Sequence, residues 1–211
     1  MEDNGREHIK SIIKLEERIG QCGRCPELVN CTNKPSLGRG DMEPQVLLVF
    51  ECESTFTRDM EWIIQLRNSI KQHFKVARVY HTYLVRCQPK ACPGTQGIDC
   101  SVSSRLLDRN NTCLLTNQLC SGILIKPTNG EILNCLTYLL EEITILKPGY
   151  VILLGRRVSD FVLKTFGLLA AEPSRPTYQY DNTTFITTGA AETLLDAEIQ
   201  RLAALTKGHG N

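Results

Sequence analysis

Apolar positions recur along this chain with two periods, and the switches between them mark out its elements. Over residues 6–21, Ile9, Ile12, Ile13, Leu15 and Ile19 fall roughly on one helical face, with Lys, Glu and Arg opposite, until Gly20 stops the run. Gln45–Phe50 is an unbroken apolar run of strand length, the pattern of a central strand buried on both faces. The helical period returns at Asp59–Phe74 through Ile63, Leu66, Ile70 and Phe74, with Trp62 beside the stripe, and Arg78–Arg86 is β-rich. Glu131–Leu146 predicts a strong amphipathic helix whose inward positions are Ile132, Cys135, Leu136, Leu139, Leu140 and Ile143. Tyr150–Leu154 is a third buried strand, and the helix after it runs through Val158, Phe161, Val162 and Phe166. Tyr178–Tyr180 and Thr183–Thr187 either pair as a hairpin or continue the sheet, and Glu192–Leu205 is a last helix. Strands alternating with helices predict an α/β fold, a parallel-type sheet with helices on both faces.

Two stretches lack this rhythm. Residues 26–44 read as a wet loop punctuated by Pro35, Gly38, Gly40 and Pro44. Residues 88–128 carry Cys92, Cys100, Cys113 and Cys120 among Pro, Gly, Ser and Asn, which is too long for an ordinary loop. We read 90–128 as a cysteine-rich insertion within a single domain spanning 1–211; its cysteine spacings match no trusted metal pattern. A chain of this size with 42% hydrophobic residues can bury one sizeable core.

The net charge of +1 leaves no overall footprint for nucleic acid or membrane. A phosphate contact must therefore come from a local patch. Lys34, Arg39, Arg86, Lys90, Arg156 and Arg157 are the candidates, although each taken singly reads as solvated surface. No apolar run approaches the roughly 18–20 residues that span a bilayer, and the first residues lack the basic and apolar regions of a signal peptide. The expectation is a cytoplasmic, reducing setting, in which ten cysteines point to metal or cluster chemistry before disulfides.

Among those cysteines, Cys22-Gly-Arg-Cys25 follows the first helix in one turn, Cys87 ends the second strand, and Cys135 lies near a helix start. Four thiolates on rigid supports suit an iron–sulfur cluster, and helix N-termini favour their charge. Zinc fits the spacing about as well, and a Cys-x-x-Cys pair alone also suits a redox disulfide. Cys31 and Cys52 read as buried thiols, with Cys31 close enough to compete as a ligand. Glu51 and Glu53 stand just past the carboxyl end of the first strand, where open α/β sheets place ligand chemistry. The simpler reading is that they favour the start of the next helix, with Ser54 as its N-cap. His81 reads as a packed or surface histidine.

Taken in order, the chain resembles the iron–sulfur, thermophile-type class of uracil-DNA glycosylases. The resemblance rests on Cys22-Gly-Arg-Cys-Pro-Glu-Leu28, the Gly38-Arg-Gly-Asp41 turn, Val46–Val49 with Glu51, and Val79-Tyr through Val85-Arg-Cys-Gln-Pro89. It continues through Glu131-Ile-Leu-Asn-Cys-Leu-Thr-Tyr-Leu139 and Lys147-Pro-Gly-Tyr-Val-Ile-Leu-Leu-Gly-Arg156. It implies a three-layer sandwich with a central, largely parallel four-stranded sheet, DNA as partner, and hydrolysis of an N-glycosidic bond. It also implies a [4Fe–4S] cluster on Cys22, Cys25, Cys87 and Cys135, structural in role.

The resemblance fails at the groups that handle the base. Where the family has Gly-Glu-x-Pro-Gly, this chain has Phe50-Glu-Cys-Glu-Ser54, which keeps only Glu51. The segment carrying the uracil-stacking aromatic is deleted, with Phe56 as a substitute. Tyr83 replaces the asparagine that reads the uracil edge, and Thr187-Thr-Gly-Ala-Ala191 replaces the family's His-Pro segment. The expected catalytic set is therefore Glu51 and Tyr83, with Thr187 or Thr188. Two readings stay open: a divergent glycosylase with an altered pocket, or a degenerate iron–sulfur module that binds nucleic acid or a protein partner.

Overall fold

The computed structural model describes residues 2–31, 34–91, 107–108, 110–113, 116–120, 122–168 and 176–206. Helix α1 (Glu2–Gly20) leads into the cysteine turn and a short helix α2 (Pro26–Cys31). That second helix falls where a loop was expected. Pro26 suits a first helical position, because its missing N–H would have no partner there anyway.

The two apolar runs and the β-rich run become strands buried along almost their whole length. These are β2 (Val46–Phe50), β3 (Val79–Tyr83) and β6 (Tyr150–Leu154), with β1 (Arg39–Gly40) before them and the short pair β4 (Lys90–Ala91) and β5 (Ile123–Leu124) between. The hairpin and the sheet extension, posed as alternatives, both hold. Strand β7 (Thr177–Tyr180) pairs antiparallel with β8 (Thr183–Thr188), and β8 pairs parallel with β6. The main sheet has the order β1-β3-β2-β6-β8-β7. Its four inner strands are parallel, as the resemblance implied, and an antiparallel strand closes each edge.

Alternation along the strands builds two apolar layers. Leu47, Val49, Val151, Leu153 and Phe185 face α1, α5 (Asn129–Leu146) and α6 (Arg156–Thr165). Val46, Leu48, Phe50, Ile152 and Ile186 face α4 (Met60–Phe74) and α7 (Asp196–Thr206). The result is helices, sheet, helices. The helix expected from Asp59 is preceded by one turn, α3 (Thr55–Arg58), capped by Ser54. Asp59 then starts α4 by accepting from the backbone N–H groups of Glu61 and Trp62 at 3.0 and 3.2 Å.

Strand β3 ends at Tyr83, three residues earlier than the β-rich run suggested. The N–H groups of Leu84 and Val85 still donate to the carbonyls of Phe50 and Glu51, both at 2.8 Å. The chain then carries Arg86 inward. Arg86 is 2% exposed, which corrects the reading of it as a surface or phosphate-contacting group. A carboxylate waits for it on α5, and the guanidinium donates from Nη2 to Glu142 at 2.6 Å.

Of the 90–128 segment, the described part holds β4 paired with β5 and a small cluster of Leu107, Cys113 and Cys120. Cys92 and Cys100 lie outside the described residues. No helix among the described residues is long and apolar enough to cross a membrane.

Candidate functional site

The Cys22–Cys25 turn forms because α1 runs out at Gly20, and the N–H of Cys22 closes back on the Ile19 carbonyl at 3.1 Å. Arg24 then ties the turn to α5. It donates to the Asn134 carbonyl at 3.0 Å and to the Thr137 hydroxyl at 2.6 Å, and its guanidinium lies 4.4 Å from the centre of the Tyr138 ring. Cys135 projects from α5 and Cys87 follows the exit of β3, so Cys22, Cys25, Cys87 and Cys135 line one hollow. Ile19, Leu28 and Val85 form its apolar wall.

Hydrogen-bond donors reach these sulfurs. The N–H of Arg86 donates to Cys135 Sγ at 3.3 Å, and the Asn134 amide to Cys25 Sγ at 3.6 Å. Burial pushes the Cys25 and Cys135 thiols up, while these donors and the Arg24 and Arg86 charges pull them down. Among the described residues, no three of His, Cys, Asp and Glu close tightly enough to hold a single metal ion. Arg86 forms part of the wall; its Nη2 is paired with Glu142, while its Nε and Nη1 are buried without a hydrogen-bond partner, two donors that an acceptor in the hollow would satisfy. The side chain of Cys31 lies outside the described residues.

A second site opens beyond the carboxyl ends of β2, β6 and β8, a cleft of about 1170 Å³. Glu51, Cys52 and Glu53 follow β2, Gly155, Arg156 and Arg157 follow β6, and Thr187, Thr188 and Gly189 come from the end of β8. Glu51 is paired with Arg157 Nη1. The same arginine donates from Nη2 to the Pro127 carbonyl at 2.7 Å and to Asn129 Oδ1 at 3.1 Å, so the pair also clasps the start of α5. Glu53 accepts two bonds from Arg58, at 2.9 and 2.8 Å, while the capping of α3 falls to Ser54. Arg201, hydrogen-bonded to Glu198, lowers that carboxyl, and the Thr188 hydroxyl adds a smaller hydrogen bond to it. Burial pushes the Cys52 thiol up to about 12, so it stays protonated and is no nucleophile.

The expected catalytic set is therefore divided. Glu51, Thr187 and Thr188 share the cleft, whereas Tyr83 lines a separate hollow with His81, Thr57 and Arg39. Tyr83 is 4% exposed, packs on Phe50 and His81, and bonds through its hydroxyl to Thr57. Phe56 packs on Trp62 with ring centres 5.8 Å apart and is not part of the cleft wall. Of the remaining basic candidates, Lys90 reaches Asn111, and Arg156 stands out in solvent beside Asp160.

Glu142 escaped the reading of the sequence. The signal was present: it lies on the inward stripe of α5, between Leu139 and Ile143. A carboxylate there demands a buried donor set, which Arg86, Tyr80 and Thr82 supply.

An α/β sandwich with its cleft beyond the carboxyl ends of the parallel strands defines the class of architecture. The sequence pattern of the uracil DNA glycosylase superfamily matches residues 50–202, and the chain belongs to that superfamily. The matched stretch includes Cys87 and Cys135 and begins after Cys22 and Cys25. No curated protein matches the chain.

Proposed function

We propose that this chain is an iron–sulfur member of the superfamily that binds DNA at the Glu51–Thr188 cleft, with a pocket altered from the uracil type. The observation that carries the reading is the position of Tyr83. It stands where the resemblance expects the amide that reads uracil, yet its hydroxyl is spent on Thr57 outside the cleft. A phenol also lacks the paired donor and acceptor of an amide, and a site built on hydrogen bonds fails steeply when they are removed.

Excision demands a flipped base and negative charge beside the developing sugar cation. Glu51 is the carboxylate placed to supply that charge, but Arg157 neutralises it. A second reading, a glycosylase for a different base, draws on Glu51 and Thr188 facing one cleft roomy enough for an extruded nucleotide. An abasic-site assay on single- and double-stranded DNA carrying uracil, hypoxanthine or other altered bases separates the two. We expect salt-sensitive binding without uracil release. Robust uracil release sinks the first reading, and neither binding nor release points to a protein partner.

Cys22, Cys25, Cys87 and Cys135 are the residues that would hold a [4Fe–4S] cluster, which supplies a cross-link among α1, the exit of β3 and α5 within one domain spanning 1–211. Support comes from the shared hollow and the unpartnered nitrogens of Arg86. Anaerobically purified protein is expected to contain iron and acid-labile sulfide, with absorbance near ~400 nm. Cys135→Ser is expected to lose both and to unfold more easily. Stoichiometric zinc without sulfide ends the cluster proposal.

A further inference from the structure

The hollow that takes Tyr83 away from the cleft is itself built to receive something. It measures about 360 Å³ and opens between the 34–39 segment and α3. At its inner end lies His81, 3% exposed, with a buried Nδ1 that has no partner. Burial and the charges of Arg67 and Arg39 hold that imidazole neutral, with its pKa lowered to about 4. A buried polar nitrogen without a partner is costly to keep.

The rim is cationic. Lys34, Arg39 and Arg58 line it, against a single carboxylate, Glu53. That carboxylate is taken up by Arg58. Lys34 and Arg39 therefore have no ion-pair partner among the described residues, and both are exposed. Arg39 also stands directly across from His81 in the β1–β3 register.

The segment carrying these cations is pinned to the fold. A Cβ on Gly38 would collide with the Tyr80 ring and the Glu142 carboxylate. One on Gly40, whose φ is +147°, would lie 2.5 Å from the Val79 carbonyl oxygen. The N–H of Ser36 is held by the Arg86 carbonyl at 2.7 Å. The cations are thus presented on a fixed backbone, with the Ser36 hydroxyl in the same wall, while the Thr57 hydroxyl is taken up by Ser54 and Tyr83.

We infer that this hollow is an oxyanion subsite that takes a phosphate group, and that a DNA strand in the adjoining cleft is its source. Glu53 lines both spaces, so the hollow adjoins the cleft. Two uncompensated cations, the Ser36 hydroxyl and an unpartnered imidazole match a tetrahedral oxyanion, which accepts hydrogen bonds on every side. The identity of the ligand as a strand phosphate rests on the DNA-binding reading above; the anion site itself does not.

The test uses the full-length protein, with inorganic phosphate and a fluorescein-labelled single-stranded oligonucleotide as separate probes. His81 ring resonances are assigned with His81→Gln among the chain's four histidines. Inorganic phosphate is expected to shift them and to compete with the oligonucleotide. Arg39→Gln and Lys34→Gln are each expected to weaken oligonucleotide binding about tenfold at low salt, equally for all base sequences. Each should reduce the slope of log affinity against log salt by about 0.7. Lys10→Gln, on the exposed side of α1, should change neither. Unmoved His81 resonances in phosphate, or full affinity and slope in Arg39→Gln, overturn the subsite. A phosphate shift lost in Arg39→Gln, in a protein that ignores the oligonucleotide, keeps the anion site and removes DNA as its source.

Discussion

Two arginine–glutamate pairs place the same chemistry in two environments, one beside the cysteine hollow and one in the cleft. Arg86 and Glu142 are each 2% exposed, and the carboxylate also accepts from Tyr80 at 3.1 Å and Thr82 at 2.5 Å. Arg157 and Glu51 are 30% and 24% exposed, so solvent reaches both groups. A fully buried pair loses its hydration and depends on the surrounding donors to recover the cost. A half-exposed pair forgoes little and is worth little. The cysteine side is therefore a fixed node that holds β3 to α5, whereas the cleft side can change its partners without endangering the fold. That difference fits a chain whose four cysteines line one hollow while the residues expected to handle a base are divided between two.

The largest expected effect comes from breaking the buried pair. Glu142→Ala leaves the Arg86 guanidinium without a counter-ion in the core, and we expect a loss of about 3–5 kcal/mol in urea unfolding. Arg86→Met combined with Glu142→Leu removes both charges and should recover most of that loss. A double variant as unstable as the single one would mean that packing around α5, and not the stranded charge, governs the node.

The second effect concerns a buried group that stays neutral. His81 sits on β3 in the hollow beside Tyr83, and burial with Arg67 and Arg39 nearby lowers its pKa from 6.5 to about 4. Between those values the unfolded chain binds a proton that the folded chain refuses. Its contribution is complete above about pH 6.5 and is lost as the pH falls towards 4, on the order of 3 kcal/mol in all. Urea unfolding of the wild type and of His81→Phe across this window should show the wild type losing stability the more steeply. Parallel curves would mean that His81 is protonated in the folded state.

Much of this comparison was legible in the sequence, and the illegible part has a physical cause. Unbroken apolar runs at Val46–Phe50 and Tyr150–Leu154 announced strands buried on both faces, and the helix periods located α4 and α5 to within a few residues. The four cysteines that line the hollow were the set that the family resemblance implied. What did not show was where long charged side chains go once the chain folds. Arg86 and Arg157 look alike in a sequence, because the choice between core and cleft is made by a carboxylate elsewhere in the chain. Glu51 and Glu142 lie more than 50 residues from the arginines they meet. Tyr83 lines a different hollow from Glu51 and Thr188 for a related reason: the sequence places it on β3, but the side of the sheet decides which hollow it enters.

The smallest effect tests the half-exposed pair. Arg157→Gln removes the partner of Glu51 and the bonds to Pro127 and Asn129, and Glu51→Gln removes one link of the same set. Each is expected to cost about 1 kcal/mol or less, because water solvates the remaining charge. The two variants should part in function. Arg157→Gln frees the Glu51 carboxylate in the cleft, where it can face a developing sugar cation, and also deletes a positive charge near DNA phosphates. If the cleft is a binding site with a silenced carboxylate, Arg157→Gln should weaken DNA binding, while Glu51→Gln binds as well as the wild type or better. If Glu51 is catalytic on some base, Glu51→Gln should abolish release of that base while leaving affinity near the wild-type level. Measuring both quantities on the same oligonucleotide set assigns the pair to one role, and a loss above about 3 kcal/mol in either variant would show that the cleft is as much a structural node as the cysteine side.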